Sequence, residues 1–538
     1  VTGGIRLSGA FSGYTESRKA LNRFQRRLPN GSLVTGLHQI STSPLRWHYL
    51  FATLASLALS AWSTWLGTIP NPDAALYLRA ADYFAAGQLY DGLAVYKWPA
   101  YSLLVASTQV ATGLDALLAA QVVNALFTLV TTLAFIALAS EFSRRDRVVV
   151  TIATVFIVFQ PQLMQLRSWI IRDHGYIALF MVAVYLAVTD NERPSPWRKL
   201  ALGAALLGAT LFRVEGLYLI LLVVGYYILK RLRTVTAQVT TVAVLFFAIT
   251  VLLPFAFSIW INGTLGRWLA GKAATVDLSL FTDVIRHRVD VLGSEVLQSG
   301  GGRKWPAYVS VIFGITIMDT VRAITPVFAF FGLFAFIPNR LVPRKAMLPI
   351  AWFTIAQIPM LFLVGFINAL MDWRYPMALA LIAMFGIIFC ATSSWRELLM
   401  FRPRAFIVFP SLVIASLATF AADLPKSIES HHFVDAGQWI RKNVPPASRI
   451  WMNDARVAYF SGRSYRETGG VTRLLGLPST DFEKEEAFDV IVVWSGGNLR
   501  HAPIPIDLKK LSTVATFEND SETITIHAKC AQMVGCPI

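Results

Sequence analysis

A succession of apolar runs, each close to the length of a bilayer-crossing helix, constrains this chain more than any other feature. About 20 residues of helix span the roughly 30 Å hydrocarbon layer. About eleven such runs stand at 49–69, 116–140, 147–164, 174–189, 198–212, 215–230, 237–261, 308–336, 346–367, 375–392 and 405–421. Composition points the same way. A chain of 538 residues that is 55% hydrophobic and only 15% charged lies outside the soluble globular range. The sequence therefore predicts a polytopic, all-α membrane bundle.

The net charge of +16 invites a nucleic-acid reading, but the basic residues are spread over alternate loops. Arg18, Lys19, Arg23, Arg26 and Arg27 precede the first run, and Arg144, Arg145 and Arg147 follow the second. Further clusters are Arg193, Arg198 and Lys199, then Lys230, Arg231 and Arg233, then Arg340, Arg344 and Lys345, then Arg396, Arg402 and Arg404. A cytoplasmic N-terminus puts every cluster inside, as the bias of Lys and Arg toward cytoplasmic loops requires. The expected setting is a multi-pass protein of a bacterial inner (plasma) membrane, with the lipid bilayer as its partner and no nucleic acid. An odd number of crossings carries the C-terminal region to the periplasmic or extracellular side.

Three zones follow. Residues 1–47 form a basic cytoplasmic tail without the apolar core of a cleavable signal. Residues 48–421 form the transmembrane domain, with outer loops at 70–115 and 262–307. From 422 to 538 the hydrophobic period changes: FVDAGQWIRKNV reads as a helix, and SRIWMND, FDVIVVW, TVATFEN and ETITIHAK read as short strands. This zone is expected to be an extracytoplasmic α/β domain, serving as a lid or an acceptor-binding module. Its Cys530 and Cys536 can close a small disulfide loop or remain free thiols, while Cys390 reads as packing in an apolar helix.

Polar chemistry concentrates at the outer turns. The stretch 71–101 carries Asp73, Asp82 and Asp91 among Tyr77, Arg79, Tyr83, Tyr90, Tyr96 and Lys97, a mixture suited to gripping a polar substrate. Asp73 is a candidate general base, or merely the N-cap of a helix over 74–86. Residues 98–113 read as a helix along the outer surface. The next outer turn holds Arg167, Arg172, Asp173 and His174, which are functional groups or interfacial anchors. His174 has no second His at ligand spacing, so no zinc site is assigned. Arg213 and Glu215 interrupt an apolar stretch and predict a tight hairpin, with Arg213 either binding phosphate or pairing with Glu215. In the long loop the run 299–304 reads as a flexible hinge. Asp319 and Arg322 are spaced to pair on one helical face, and Asp372, Trp373, Arg374 and Tyr375 form the last outer turn.

These motifs, in this order, resemble the GT-C membrane glycosyltransferases that use polyprenyl-phosphate sugars, related to protein mannosyltransferases and to the aminoarabinose transferases acting on lipid A. The matching residues are Pro72-Asp73-Ala74-Ala75-Leu76-Tyr77, then Ala81, Phe84, Gly87 and Tyr90, then Trp98-Pro99-Ala100-Tyr101. Further matches are Arg172-Asp173, Arg213-Val214-Glu215-Gly216, Arg374-Tyr375-Pro376 and the element from Ala436 to Tyr459. The resemblance implies a catalytic Asp73 with Asp173 as the second acidic residue. It also implies a lipid phosphate held by Arg213 and Arg374, with Arg172 as a helper. Tyr77, Asp82, Lys97, Glu215 and Tyr375 are the candidate substrate contacts. Ala74 follows Asp73 where many protein mannosyltransferases have a second acid, which departs from the protein-modifying branch.

The chemistry is coherent apart from the family. A glycosidase needs a second carboxyl to protonate its leaving group, whereas a phosphate departs as a weak base. One general base and cations that stabilise departing charge then suffice. The expected reaction moves a sugar, with inversion, from polyprenyl phosphate to a hydroxyl of a lipid, glycan or protein acceptor. No cofactor is expected, no metal ligands are assigned, and a divalent metal stays open. The alternatives are a transporter or flippase of a lipid-linked glycan, and a pyrophosphate-donor oligosaccharide ligase or polymerase. A transporter calls for inverted repeats or broken helices, and no internal repeat is visible.

Overall fold

The computed structural model describes residues 45–66, 71–231, 278–292, 304–325, 344–368, 372–388, 431–463, 489–496, 511–518 and 522–528, with 414, 418, 420 and 421 as isolated positions. The expectations for the N-terminal tail, the run 237–261, the glycine-rich 299–303, most of 405–421 and the three cysteines lie outside these residues.

Helix α1 (Arg46–Trp65) is followed by α2 (Pro72–Ala85), α3 (Leu89–Val95), α4 (Ala100–Thr112) and α5 (Ala116–Phe142). Then come α6 (Arg147–Val158), α7 (Pro161–Arg167), α8 (Asp173–Glu192), α9 (Pro196–Phe212) and α10 (Glu215–Arg231). Helices α11 (Leu278–Val291), α12 (Lys304–Ile324), α13 (Arg344–Asn368) and α14 (Met377–Ile388) complete the bundle among the described residues.

By length and composition α5 and α12 can cross a membrane, and α6 with α7, bent by 43°, make a third crossing if counted as one broken span. The sequence expects more; the count covers only the described residues, and for several of the others composition explains the difference. Helix α1 turns Ser56, Ser60 and Ser63 into the protein, and α10, α13 and α14 hold only shorter apolar stretches, Glu215–Ile228, Trp352–Phe362 and Met377–Ile388. Polar positions are tolerable in such helices where they face protein rather than lipid. Arg167 shows how: it is buried and donates to the Ser56 carbonyl at 2.8 Å and the Ser60 hydroxyl at 2.6 Å, tying α7 to α1.

Helix α8 is the centre of the bundle, packed against α5, α9 and α13 and buried along most of its length. A helix enclosed on all sides needs no polar face, which is why its sequence shows no amphipathic stripe. Edge-on aromatic pairs, Phe142 with Phe385 and Phe180 with Phe353, lock neighbouring helices together. Within the expected outer segment 262–307 the structure places helix α11, whose Ile285 and Val289 pack on Tyr308 and Ile312 of α12.

The C-terminal unit contains α15 (His431–Asn443), α16 (Ala455–Ser461) and a sheet of β1 (Ile450–Met452), β2 (Val490–Gly496), β3 (Ser512–Glu518) and β4 (Glu522–Ala528) in the order β1-β2-β4-β3. Strands β1 and β2 are parallel and the other pairings antiparallel. Alternation buries Ile524, Ile526 and Ala528 against Phe433, Ala436 and Ile440 of α15. Helix α16 is absent from the sequence reading. Asp454 caps it by accepting from the Arg456 amide, and Gly462, at φ 72°, ends it. This core also takes in Ala75 of α2, with Leu76 and Val95 packed on it. Arg79 adds a hydrogen bond to the Gly462 carbonyl at 3.3 Å. The helix that carries Asp73 is thus clamped between the bundle and the C-terminal unit.

Candidate active site

The start of α2 differs from the sequence reading in one respect. Asn71, not Asp73, occupies the N-cap, Pro72 opens the helix, and Asp73 lies in the first turn, as expected where proline takes the first helical position. The Asn71 side chain accepts from the Ile170 amide at 3.0 Å and fastens α2 to the turn before α8. Asp73 is free to face elsewhere. Its Oδ2 accepts from Arg374 Nη1 at 3.1 Å, and the side chain stays 44% exposed. Arg374 Nε lies 3.3 Å from Asp372. Burial alone opposes the Arg374 charge, but Asp73 and Asp372 outweigh it and raise the guanidinium above its ordinary value.

The second half of the site lies on α8 and the α9–α10 link. Asp173 opens α8 and is buried against the guanidinium of Arg213. The other amino group of Arg213 donates to Glu215 at 2.6 Å. Gly216 makes so tight a link feasible, because a Cβ there would run into the backbone of Thr210. The Tyr375 ring lies 4.4 Å from the Arg213 guanidinium and 5.7 Å from that of Arg374, joining the two halves.

Arg172 is held differently from Arg213. Its guanidinium lies 5.9 Å from the Tyr96 ring, and Glu215 acts on it at longer range. Among the described residues no carboxylate approaches Arg172 within ion-pair distance. The expected pair of Arg213 with Glu215 is present and extended by Asp173, so Arg213 is committed to two acids while Arg172 is committed to none.

Of the other expected contacts, Tyr375 and Glu215 sit in this cluster. Tyr77 is a wall of it, packed edge-on against Tyr96 and Tyr101 at centroid distances of 4.8 and 5.4 Å. Burial keeps its phenol neutral and well above the ordinary value. Lys97, beside Tyr96, is exposed. Asp82 is not brought to the cluster: it lies toward the far end of α2, accepting from Gln109 at 3.2 Å, and its charge acts on Tyr459 of α16. The expected ion pair of Asp319 with Arg322 does not form. Asp319 lies on the buried stripe of α12 with Thr316 and Ala323, whereas Arg322 points outward. His174 is pinned in place, its Nε2 facing the Leu166 and Trp169 carbonyls at 3.0 and 3.2 Å. Both are acceptors, so Nε2 carries the proton and the ring fixes the turn before α8. Among the described residues no group of His, Cys, Asp and Glu is placed to hold a metal ion.

Sequence reasoning missed Trp169, whose ring lies 5.6 Å from the Arg374 guanidinium, and Tyr176, 5.6 Å from that of Arg213. A Trp at a membrane boundary reads as an anchor. Tyr176 carried one usable signal, its place three residues after Asp173 on the same helical face.

Asp82 titrates in a direction that can be tested. Burial raises its carboxyl above the ordinary range, with the Gln109 hydrogen bond opposing. The folded protein then binds this proton more readily than the unfolded chain, so the residue's contribution to stability falls as pH rises from about 4 through its raised value. Asp82→Asn keeps an acceptor for Gln109. It is expected to raise the thermal midpoint by about 1–2 °C at pH 7 and to change nothing near pH 4. A drop at pH 7 in thermal unfolding contradicts this.

Fold and site together define a helical membrane protein whose carboxylates and guanidiniums, spread over four segments, converge at one end of the bundle. No protein-family model and no curated protein matches the chain. Among solved structures it is similar to ArnT from Cupriavidus metallidurans bound to undecaprenyl phosphate, at 12% identity and a TM-score of 0.37, covering 90% of this chain and 98% of that one. The apo crystal structure of ArnT from Cupriavidus metallidurans is similar at 11% identity and a TM-score of 0.37, over 85% and 94% of the two chains. Likeness at that level leaves the chemistry of the site to the residues of this chain.

Proposed function

We propose that the protein is a GT-C-type membrane glycosyltransferase that moves a sugar from a polyprenyl-phosphate donor to an acceptor hydroxyl at the extracytoplasmic face. The observation that supports this most is the ion pair between Asp73 and Arg374, 301 positions apart, beside the uncommitted Arg172. One oxygen of Asp73 is held and the side chain remains open to an acceptor.

When the donor binds, its phosphate competes with Asp73 for Arg374, and Arg172 supplies a second cation. Asp73 is thereby released to take the proton of the acceptor hydroxyl. The acceptor oxygen bonds to the anomeric carbon as the bond to the phosphate oxygen breaks, and the electron pair leaves with polyprenyl phosphate. The two guanidiniums stabilise that charge. Arg213 is assigned a positioning role in place of the expected phosphate contact, since Asp173 and Glu215 already neutralise it through its two terminal amino groups and it carries Tyr375.

A broken span is a transporter feature, and α6 with α7 is one. Its break is filled by Gln160, however, which donates to the Ala323 carbonyl at 2.9 Å and accepts from the Leu163 amide at 2.5 Å. Both polar groups of the Gln160 side chain are satisfied within the protein, and the transferase reading is preferred.

Arg172→Met tests the phosphate assignment. Loss of one charge-assisted contact is expected to weaken stabilisation by added polyprenyl phosphate, and to raise donor KM, by about 10- to 100-fold. Unchanged affinity in a thermal-shift titration removes Arg172 from the donor site.

A further inference from the structure

We propose that Tyr176 of α8 and Gln357 of α13 form a buried subsite that holds hydroxyl groups of the donor's sugar ring, an inference that rests on the transferase reading above. Gln357 is 0% exposed and Tyr176 3% exposed. Among the described residues neither polar atom of the Gln357 amide has a hydrogen-bond partner, and neither does the Tyr176 hydroxyl. The amide faces the phenol without closing a bond of good geometry. A buried donor or acceptor left unpaired is unfavourable, and two such groups facing each other mark a place that a ligand completes.

The surroundings say which ligand. The Tyr176 ring lies 5.6 Å from the Arg213 guanidinium, so the subsite adjoins the charged cluster. It also stacks on Phe180 at 6.2 Å, and Phe180 meets Phe353 of α13 edge-on at 5.7 Å. An apolar floor beside a few fixed polar groups suits a sugar ring, which has an apolar face and a hydroxyl edge. The amide offers one acceptor and two donor hydrogens, and the phenol one of each. A hydroxyl can satisfy both kinds. A phosphate only accepts, and it would meet the Gln357 carbonyl and the negative charge of Glu215, which acts on Tyr176. The subsite is therefore assigned to the sugar, and the phosphate to Arg172 and Arg374.

The experiment uses full-length Gln357→Leu and Tyr176→Phe in lipid, with three readouts: thermal midpoint without ligand, KM and kcat for the polyprenyl-phosphate sugar, and affinity for sugar-free polyprenyl phosphate. Removing groups that await a ligand is expected to leave the ligand-free midpoint unchanged or higher. Donor KM is expected to rise about 10- to 100-fold for each variant, with affinity for sugar-free polyprenyl phosphate unchanged. A lower ligand-free midpoint in both variants shows that the resting protein already satisfies these groups, with water for example, and overturns the proposal. Wild-type KM in both variants overturns it as well. If wild type neither transfers sugar from nor is stabilised by any donor, the transferase reading itself fails and the subsite falls with it.

Discussion

Asp73→Asn is expected to lower sugar transfer by at least about 10²-fold, the low end of what a positioned general base contributes, while donor affinity stays within a few-fold of wild type. The substitution suits the question because Asn keeps the size of the side chain and an oxygen that can accept from Arg374. It removes only the capacity to take a proton. The position is 44% exposed and paired at 3.1 Å, so the fold does not depend on its charge. Turnover with bound-donor measurements on the same preparation separates chemistry from binding. Full activity in the variant removes Asp73 from the mechanism.

Arg213→Met is expected to have the largest effect on stability. The guanidinium is sandwiched between Asp173 and Glu215, whose side chains are only 6% and 12% exposed. Removing it leaves two buried carboxylates without their shared ion-pair partner, with only Arg172 acting on Glu215 at longer range, a loss on the order of 3–5 kcal/mol. Because the strain comes from the acids left behind, adding Asp173→Asn and Glu215→Gln to the same chain is expected to restore much of the thermal midpoint. Such non-additivity is the mark of residues that share one network. A single variant as stable as wild type contradicts the positioning role given to Arg213.

Much of this arrangement is written locally in the sequence. The polar interruption at Arg213 and Glu215 is resolved as a tight link because two charges in mid-helix would be expensive in lipid, and the alternating β4 segment shows its buried face directly. The Pro72 signal for a helix starting two residues earlier is also present, and Asn71 is the better cap on that ground. In α11, Ile285 and Val289 stand four apart on one face, a short amphipathic signal inside a stretch that otherwise reads as loop.

Other features have no local signature. Nothing near Asp73 specifies Arg374, because the contact is made by packing α2 against a turn far along the chain. Arg172 and Arg213 look equivalent as basic residues at turns; only the placement of Asp173 and Glu215 shows that one is neutralised and the other is not. Asp319 and Arg322 have the spacing of a pair, but the burial stripe of α12 turns them apart. Gln357 sits in an apolar run, where a neutral amide gives no sign of whether it has a partner.

The most direct measurement is transfer of radiolabelled sugar from a panel of polyprenyl-phosphate donors by the purified wild-type protein in lipid, with the anomeric configuration of the product determined. The expected result is a glycosylated acceptor of inverted configuration, formed with release of one polyprenyl phosphate per sugar moved. Donors that bind and stabilise the protein yet are never cleaved, and that instead cross the bilayer intact in proteoliposomes, contradict the transferase and make the protein a carrier of lipid-linked glycan.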